Sequence, residues 1–242
     1  VVFSDGQEPP AAGLNGLLKE MLPEELLVDA NASMQTVKEG FRLIGPLLGA
    51  GLFALTDGWA VVLVDVASFL VAAALIAAIR LAEPKPVHEP QHWLTEMTAG
   101  VRHLLHDEVL RPVMIAFGAT LLTLGFSEAS IYAILDAFHK PVEFAGVVVT
   151  VQGVGAVVGG LTCSRLIKRI GEPVSFALGL GLMAASFLVV VVARTIPVML
   201  AGVVVLGYAL PLMFVAYTTL VQIRTPQAIM GRVSTALEVV LA

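Results

Sequence analysis

Three carboxylates, Asp65, Glu128 and Asp136, stand inside long uncharged stretches of this 242-residue chain. An ionisable group among apolar neighbours is expensive to bury, so it turns to a polar cavity, a partner, or the edge of the apolar layer. Glu128 lies deepest in its stretch. A protonatable carboxylate there can take up and release a proton as its surroundings change; the other reading is a hydrogen-bonded structural acid. Tyr132, Gln152, Tyr208 and Tyr217 offer hydroxyl and amide groups that either line a polar pathway or bond an adjacent helix. Glu128, Tyr132 and Gln152 are the leading candidates for such a pathway. Asp65, within DVASFL, is a weaker candidate with a structural role as its first reading, and Asp136 lies near a stretch end where water reaches it.

Enzyme chemistry finds little support. There is no HExxH for a zinc protease, no GxSxG elbow and no Walker A lysine loop. VQGVGAVVGG (151–160) is no nucleotide loop, because no strand precedes it. The five histidines are scattered; His103 and His106 share a helical face but read as solvated. One cysteine allows no internal disulfide and no multi-cysteine metal site. The net charge of −5 includes no basic block of the kind that binds nucleic acid. No catalytic residue, cofactor or metal is expected.

The elements that must position these groups follow from composition. The chain is 57% hydrophobic and 14% charged, against about 25% charged in soluble domains, and its mean hydropathy is +0.90. No charge occurs in 173–193 or 195–223, and about 20 apolar residues at 1.5 Å rise cross a bilayer core of about 30 Å. The fold class is therefore all-α, a polytopic transmembrane helix bundle. Expected spans run 35–56, 58–80, 112–136, 143–167, 173–193 and 196–223, with a last one starting near 233. LPEELLVDANA (22–32) reads as an acidic polar connector. Residues 81–111 form the longest polar stretch, a proline-rich linker followed by an amphipathic surface helix from Trp93. Residue 1 is Val, the first ten residues lack a signal-peptide pattern, and VSTALEVVLA is an apolar helix start that stops after ten residues, so the chain reads as an internal piece of something longer.

If successive spans alternate sides, twelve of the 14 basic residues fall on the side holding 81–111, leaving only Lys140 and Arg194 opposite. Loops rich in Lys and Arg stay cytoplasmic, so 81–111 is expected in the cytoplasm.

Glycines and basic turns supply the remaining candidates. In GPLLGA (45–50), Gly45 and Gly49 let another helix approach and Pro46 bends the helix. The segment is either a packing face or a bend that seals two halves of a transporter. Gly155 and Gly159 form a small-xxx-small packing face. RLIKRIG (165–171) is either an ordinary cytoplasmic anchor or a charged latch. Pro211 predicts a kink.

Taken together in order, these segments resemble the major facilitator superfamily, in its bacterial efflux branch of macrolide and siderophore exporters. LPEELLVDANA resembles the connector before the fifth helix, and GPLLGA the GPxxGG core of the antiporter motif, with Ala50 and Phe41 where glycines are usual. DVASFL (65–70) resembles part of the sixth helix. RLIKRIG is similar to the second-half copy of the basic motif, and QIRTPQAIMGRVST (222–235) to the segment before the eleventh helix. The resemblance implies helices four to eleven: 1–80 ending the N-terminal bundle, 81–111 as the central cytoplasmic loop, and 112–242 within the C-terminal bundle. It implies efflux of small, hydrophobic or amphiphilic molecules such as drugs across the bacterial inner membrane, by alternating access driven by protons. Arg165, Lys168, Arg169, Gly171 and Arg232 would form a cytoplasmic latch. The expected partners are the lipid bilayer, a small-molecule substrate and the proton. The rival reading is a multi-span scaffold or receptor-like protein that transports nothing.

Overall fold

The structure is a computed structural model that describes residues 18–19, 21–56, 58–78, 106–226, 230 and 233. Every described element is helical. α1 spans Glu24–Thr56, α2 Gly58–Ala78, α3 Leu110–Ala137, α4 Ala145–Ile170 after a 3-10 turn at Val142–Phe144, α5 Glu172–Val192, and α6 Ile196–Arg224. Residues 81–105 of the expected linker and amphipathic helix, Arg232 and all of the last span but Val233 lie outside the described residues; at 107–109, where that helix was expected to continue, the chain turns before α3.

Among the described residues, five helical segments are long and apolar enough to cross a membrane: α2, α3, α4 with its leading turn, α5 and α6. α1 is the longest helix at 33 residues, about 50 Å at the α-helical rise. A span was expected over its 35–56 part, but α1 is not among the five: Lys38, Glu39 and Arg42 break its apolar run. Its first part is the segment expected to be a connector. Glu24 and Glu25 sit in its first turn, where carboxylates favour the helix dipole. Leu27, Val28, Asn31 and Ala32 recur at helical spacing and are buried. Packing of that face against the second half of the chain turns a polar connector into helix.

α6 is the hub. It packs closely against both α4 and α5, and α1 lies across α4 and the far end of α6. Seventeen of its 29 residues are buried, so it has no lipid stripe wide enough to make it a peripheral helix. The helix is continuous through Pro211, which is itself buried. The main core joins Val28, Phe117, Ile167, Phe176, Leu212, Met213 and Tyr217 from α1, α3, α4, α5 and α6. Tyr217 stacks on Phe117 with ring centroids 3.8 Å apart, and Phe214 meets Phe117 edge-on at 5.2 Å. α2 packs chiefly on α1, and the large apolar residues along it, from Trp59 to Leu75, are exposed as lipid-facing residues would be.

Close approach explains the glycines of α4 and α6. A Cβ on Gly159 would lie 2.6 Å from the Tyr208 carbonyl oxygen, and one on Gly155 would overlap that of Val204. From the other side, Gly207 faces the Gln152 carbonyl with no room for a methyl group. Two backbones therefore touch along about two helical turns. Such contact is the means by which membrane helices associate where burial from water supplies no force.

Candidate functional site

Among the described residues, one end of the bundle carries most of the polar cross-links between helices. α1 begins there, α4 and α6 end there, and α3 begins there. Asp29 of α1 accepts hydrogen bonds from Ser164 and from Lys168 Nζ, the latter at 2.6 Å. These two bonds, the lysine's first, hold the Asp29 carboxyl below the usual carboxylate range, against a smaller opposing effect of burial. Asn31 Nδ2 donates to Gln222 Oε1 at 2.6 Å and to Thr219 Oγ1 at 2.9 Å. Lys19 Nζ donates to the Thr225 carbonyl. Burial pulls the Lys19 pKa down, partly offset by the Glu24 carboxylate. Arg224 stands 4.0 Å from Asp107, whose Oδ1 also accepts from the Val109 and Leu110 N–H groups that open α3.

Above this layer α1 continues along α4. Thr36 touches Gly160, and Leu43 lies over Gly153. The contact fades beyond Leu43. A Cβ on Gly45, Gly49 or Gly51 would meet nothing within 4 Å among the described residues. The α1–α4 pair is thus closed at the end holding Asp29 and Lys168, and open at the end holding the GPLLGA segment. The side chain of Pro46 lies outside the described residues.

The candidates of the basic turn are brought together. Arg165, Lys168 and Arg169 occupy the last turns of α4, and Gly171 caps it at φ 82° with its N–H bonded to the Ile167 carbonyl at 2.8 Å. That positive φ is what calls for glycine there. Only Lys168 of the three cations forms an ion pair among the described residues.

The polar-pathway candidates are spread further apart. Tyr132 is exposed on α3, Gln152 is half-buried on α4, and Asp65 is exposed on α2. Glu128 lies within α3, but its side chain falls outside the described residues. Tyr208 accepts a hydrogen bond from Thr162 of α4 at 3.2 Å, the adjacent-helix role rather than the pathway one. Tyr217 belongs to the aromatic core.

Several polar residues of the closed end escaped the sequence reading: Asp29, Asn31, Glu39, Ser164, Thr219 and Gln222. Glu39 is a buried carboxylate on the α1 face turned inward. Gln35 donates to its Oε1 at 3.0 Å, and Arg42 Nε stands 3.1 Å from Oε2 in a geometry too poor for a hydrogen bond. The available signal was periodicity, since 28, 31, 32, 35, 36 and 39 all fall on one helical face.

Comparison with known proteins fits this architecture. The profile described as Major Facilitator Superfamily matches residues 6–242. Enterobactin exporter EntS of Citrobacter koseri is 29% identical over 221 residues, covering 88% of this chain and 51% of that protein. The protein of the same name from Escherichia coli is 27% identical over the same coverage. The chain thus spans about half the length of the curated relatives it matches. Among solved structures, a bacterial homologue of the iron transporter ferroportin, in an outward-facing state, superposes with a TM-score of 0.60 at 16% identity, covering 93% of this chain and 56% of that one. That likeness concerns the fold.

Proposed function

The chain belongs to the major facilitator superfamily, and from that premise we propose that it forms about half of a secondary active exporter of the bacterial inner membrane. The exporter moves small hydrophobic or amphiphilic molecules outward by alternating access, driven by protons. The observation that carries this reading is the graded α1–α4 contact. Asp29, Ser164 and Lys168 tie the two helices at one end, while a Cβ on Gly45 or Gly49 at the other would meet nothing within 4 Å among the described residues. A pair of helices joined at one end and parted at the other is one arm of a rocking bundle. Basic residues gather at the joined end, which makes it the cytoplasmic one. This arrangement corresponds to a cytoplasm-closed state.

Asp29, Ser164 and Lys168, with Arg165 and Arg169 beside them, act as the cytoplasmic latch between the halves, and Arg232 and Gly171 belong to the same segment of the mechanism. Gly45, Pro46 and Gly49 serve the opposite state, in which the outer ends close and small residues admit a neighbour. Glu128, Tyr132 and Gln152 contribute to the central cavity, with Glu128 as the proton-coupling carboxylate. Asp65 is the more distant candidate. The names of the EntS relatives make enterobactin the first cargo to test, with amphiphilic drugs as the second class.

The decisive experiment uses cells lacking their own exporters. Expression of the full-length transporter should lower intracellular enterobactin or an amphiphilic dye, and collapse of the proton gradient should abolish the effect. Accumulation that is the same with and without the protein, for both cargo classes, would reject export in favour of a non-transporting scaffold. Efflux and coupling that survive Glu128→Gln unchanged would remove Glu128 from the mechanism.

A further inference from the structure

A groove of about 550 Å³ runs between α1 and α4 beside the Asp29–Lys168 contact. One part of it is polar, formed by Asp29, Ser33, Thr36, Ser164, Arg165 and Lys168. The other part is apolar, formed by Val37 and Leu161, which are 57% and 62% exposed. The apolar part continues along both helices away from the charged end. Phe41, Ile44 and Leu48 extend it on α1, and Val158 and Val154 on α4, all exposed. Steps of three and four keep each set on one helix face. The groove therefore has the form of an amphiphile, with a charged head and a long oily flank.

Its charges are unevenly matched. Asp29 is occupied by Lys168 and Ser164, and the Thr36 hydroxyl donates to the Ala32 carbonyl at 2.7 Å. Arg165, three residues before Lys168 on the same face, has no carboxylate within ion-pair distance among the described residues. An unmatched guanidinium thus stands where the apolar flank ends, at the cytoplasmic border of the bilayer. A guanidinium is suited to bidentate binding of a phosphate, and that border is where the phosphates of anionic inner-leaflet lipids lie.

We propose that this groove binds an anionic phospholipid of the cytoplasmic leaflet, with its phosphate on Arg165, its polar headgroup near Ser33, and an acyl chain along Val37 and Leu161. A soluble phosphate compound would satisfy the polar part alone and leave the flank uncovered, which favours the lipid as occupant. The proposal rests on the membrane orientation and not on transport, so its failure leaves the exporter reading in place, and failure of export leaves the lipid site in place.

Retention of lipid by the purified protein tests it. The protein is reconstituted in bilayers of equal phosphatidylglycerol and phosphatidylcholine, released into mild detergent, and the lipids it keeps are counted by native mass spectrometry. Phosphatidylglycerol should be retained preferentially. Arg165→Gln should lower that preference about fivefold, the typical worth of one basic residue at an anionic surface, and Arg165→Lys should keep most of it. An unchanged preference in Arg165→Gln overturns the site. So does an equal loss in Arg169→Gln, which would indicate a general surface attraction, and so does release of the lipid by excess inorganic phosphate. A photoactivatable phosphatidylglycerol gives a second reading on the unaltered protein: it should label the stretches around Val37 and Leu161, and labelling confined elsewhere overturns the proposal.

Discussion

Asp29 and Lys168 lie 139 residues apart in the chain and 2.6 Å apart in space. Both side chains are 45% exposed, so water and salt screen the pair, and an exposed ion pair contributes only about 0.2–1 kcal/mol. Its effect on a conformational equilibrium is accordingly a factor of about five at most. Asp29→Asn should raise access of a cytoplasm-side thiol reagent to Cys163, which is buried at this end, by no more than that factor. The charge-swapped pair Asp29→Lys with Lys168→Asp should restore protection. A double variant no better protected than the singles would mean that the pair does not hold the end shut.

Asn31 should matter more than Asp29, despite carrying no charge. It is 7% exposed and bonds two side chains that are fully buried, Thr219 and Gln222. Loss of hydrogen bonds in such surroundings costs about 1–3 kcal/mol. Asn31→Ala should open the cytoplasmic end further than Asp29→Asn in the same accessibility assay and lower the melting temperature in detergent, whereas Asp29→Asn should barely change it. The reverse ranking would show that charge, not buried hydrogen bonding, closes this end.

The layer around Asn31 also marks where sequence reading succeeds and where it stops. The α2–α6 boundaries were legible within a few residues, because an uncharged run of membrane length admits one interpretation. The start of α1 was not. Its polar residues are satisfied by Ser164, Lys168, Thr219 and Gln222, all from distant segments, and local hydropathy carries no trace of partners so remote. Glu39 differs, since its partners Gln35 and Arg42 are local; what local sequence does not show is that its helix face is buried. The glycines of α4 were legible as a packing face by spacing alone, but the partner helix was not, since contact with Gly207 and Tyr208 depends on how the helices are arranged.

Gly207 and Gly45 should respond in opposite ways to the same substitution. Alanine at 207 would drive a methyl into the Gln152 carbonyl and force α4 and α6 apart, an overpacking that costs about 1–3 kcal/mol. Alanine at 45 meets nothing within 4 Å among the described residues and gains the ~0.5–1 kcal/mol by which alanine exceeds glycine inside a helix. Gly207→Ala should therefore lower the melting temperature in detergent, and Gly45→Ala should hold or raise it. Transport separates two roles for Gly45. If it admits a neighbour when the outer ends close, Gly45→Ala should slow efflux while remaining stable. Normal efflux in a stable Gly45→Ala variant would reduce the GPLLGA segment to a passive face.

The pH dependence of export, finally, should not originate at Asp29. Hydrogen bonds from Lys168 first and Ser164 second lower its pKa below the ordinary 3.8. A carboxyl whose folded value is depressed stabilises the folded arrangement above its free value, and that contribution is lost only as pH falls through the lower, folded value. Between about pH 5 and 8 the group stays ionised on both accounts, and the tie to Lys168 persists unaltered. A transporter driven by protons must then take them up elsewhere, with Glu128 as the candidate. Asp29→Asn should change the rate of efflux but leave its pH midpoint within about half a unit of the parent's, whereas Glu128→Gln should flatten the profile. A midpoint displaced by Asp29→Asn would place the titrating group at the closed end itself and overturn the assignment of proton uptake to Glu128.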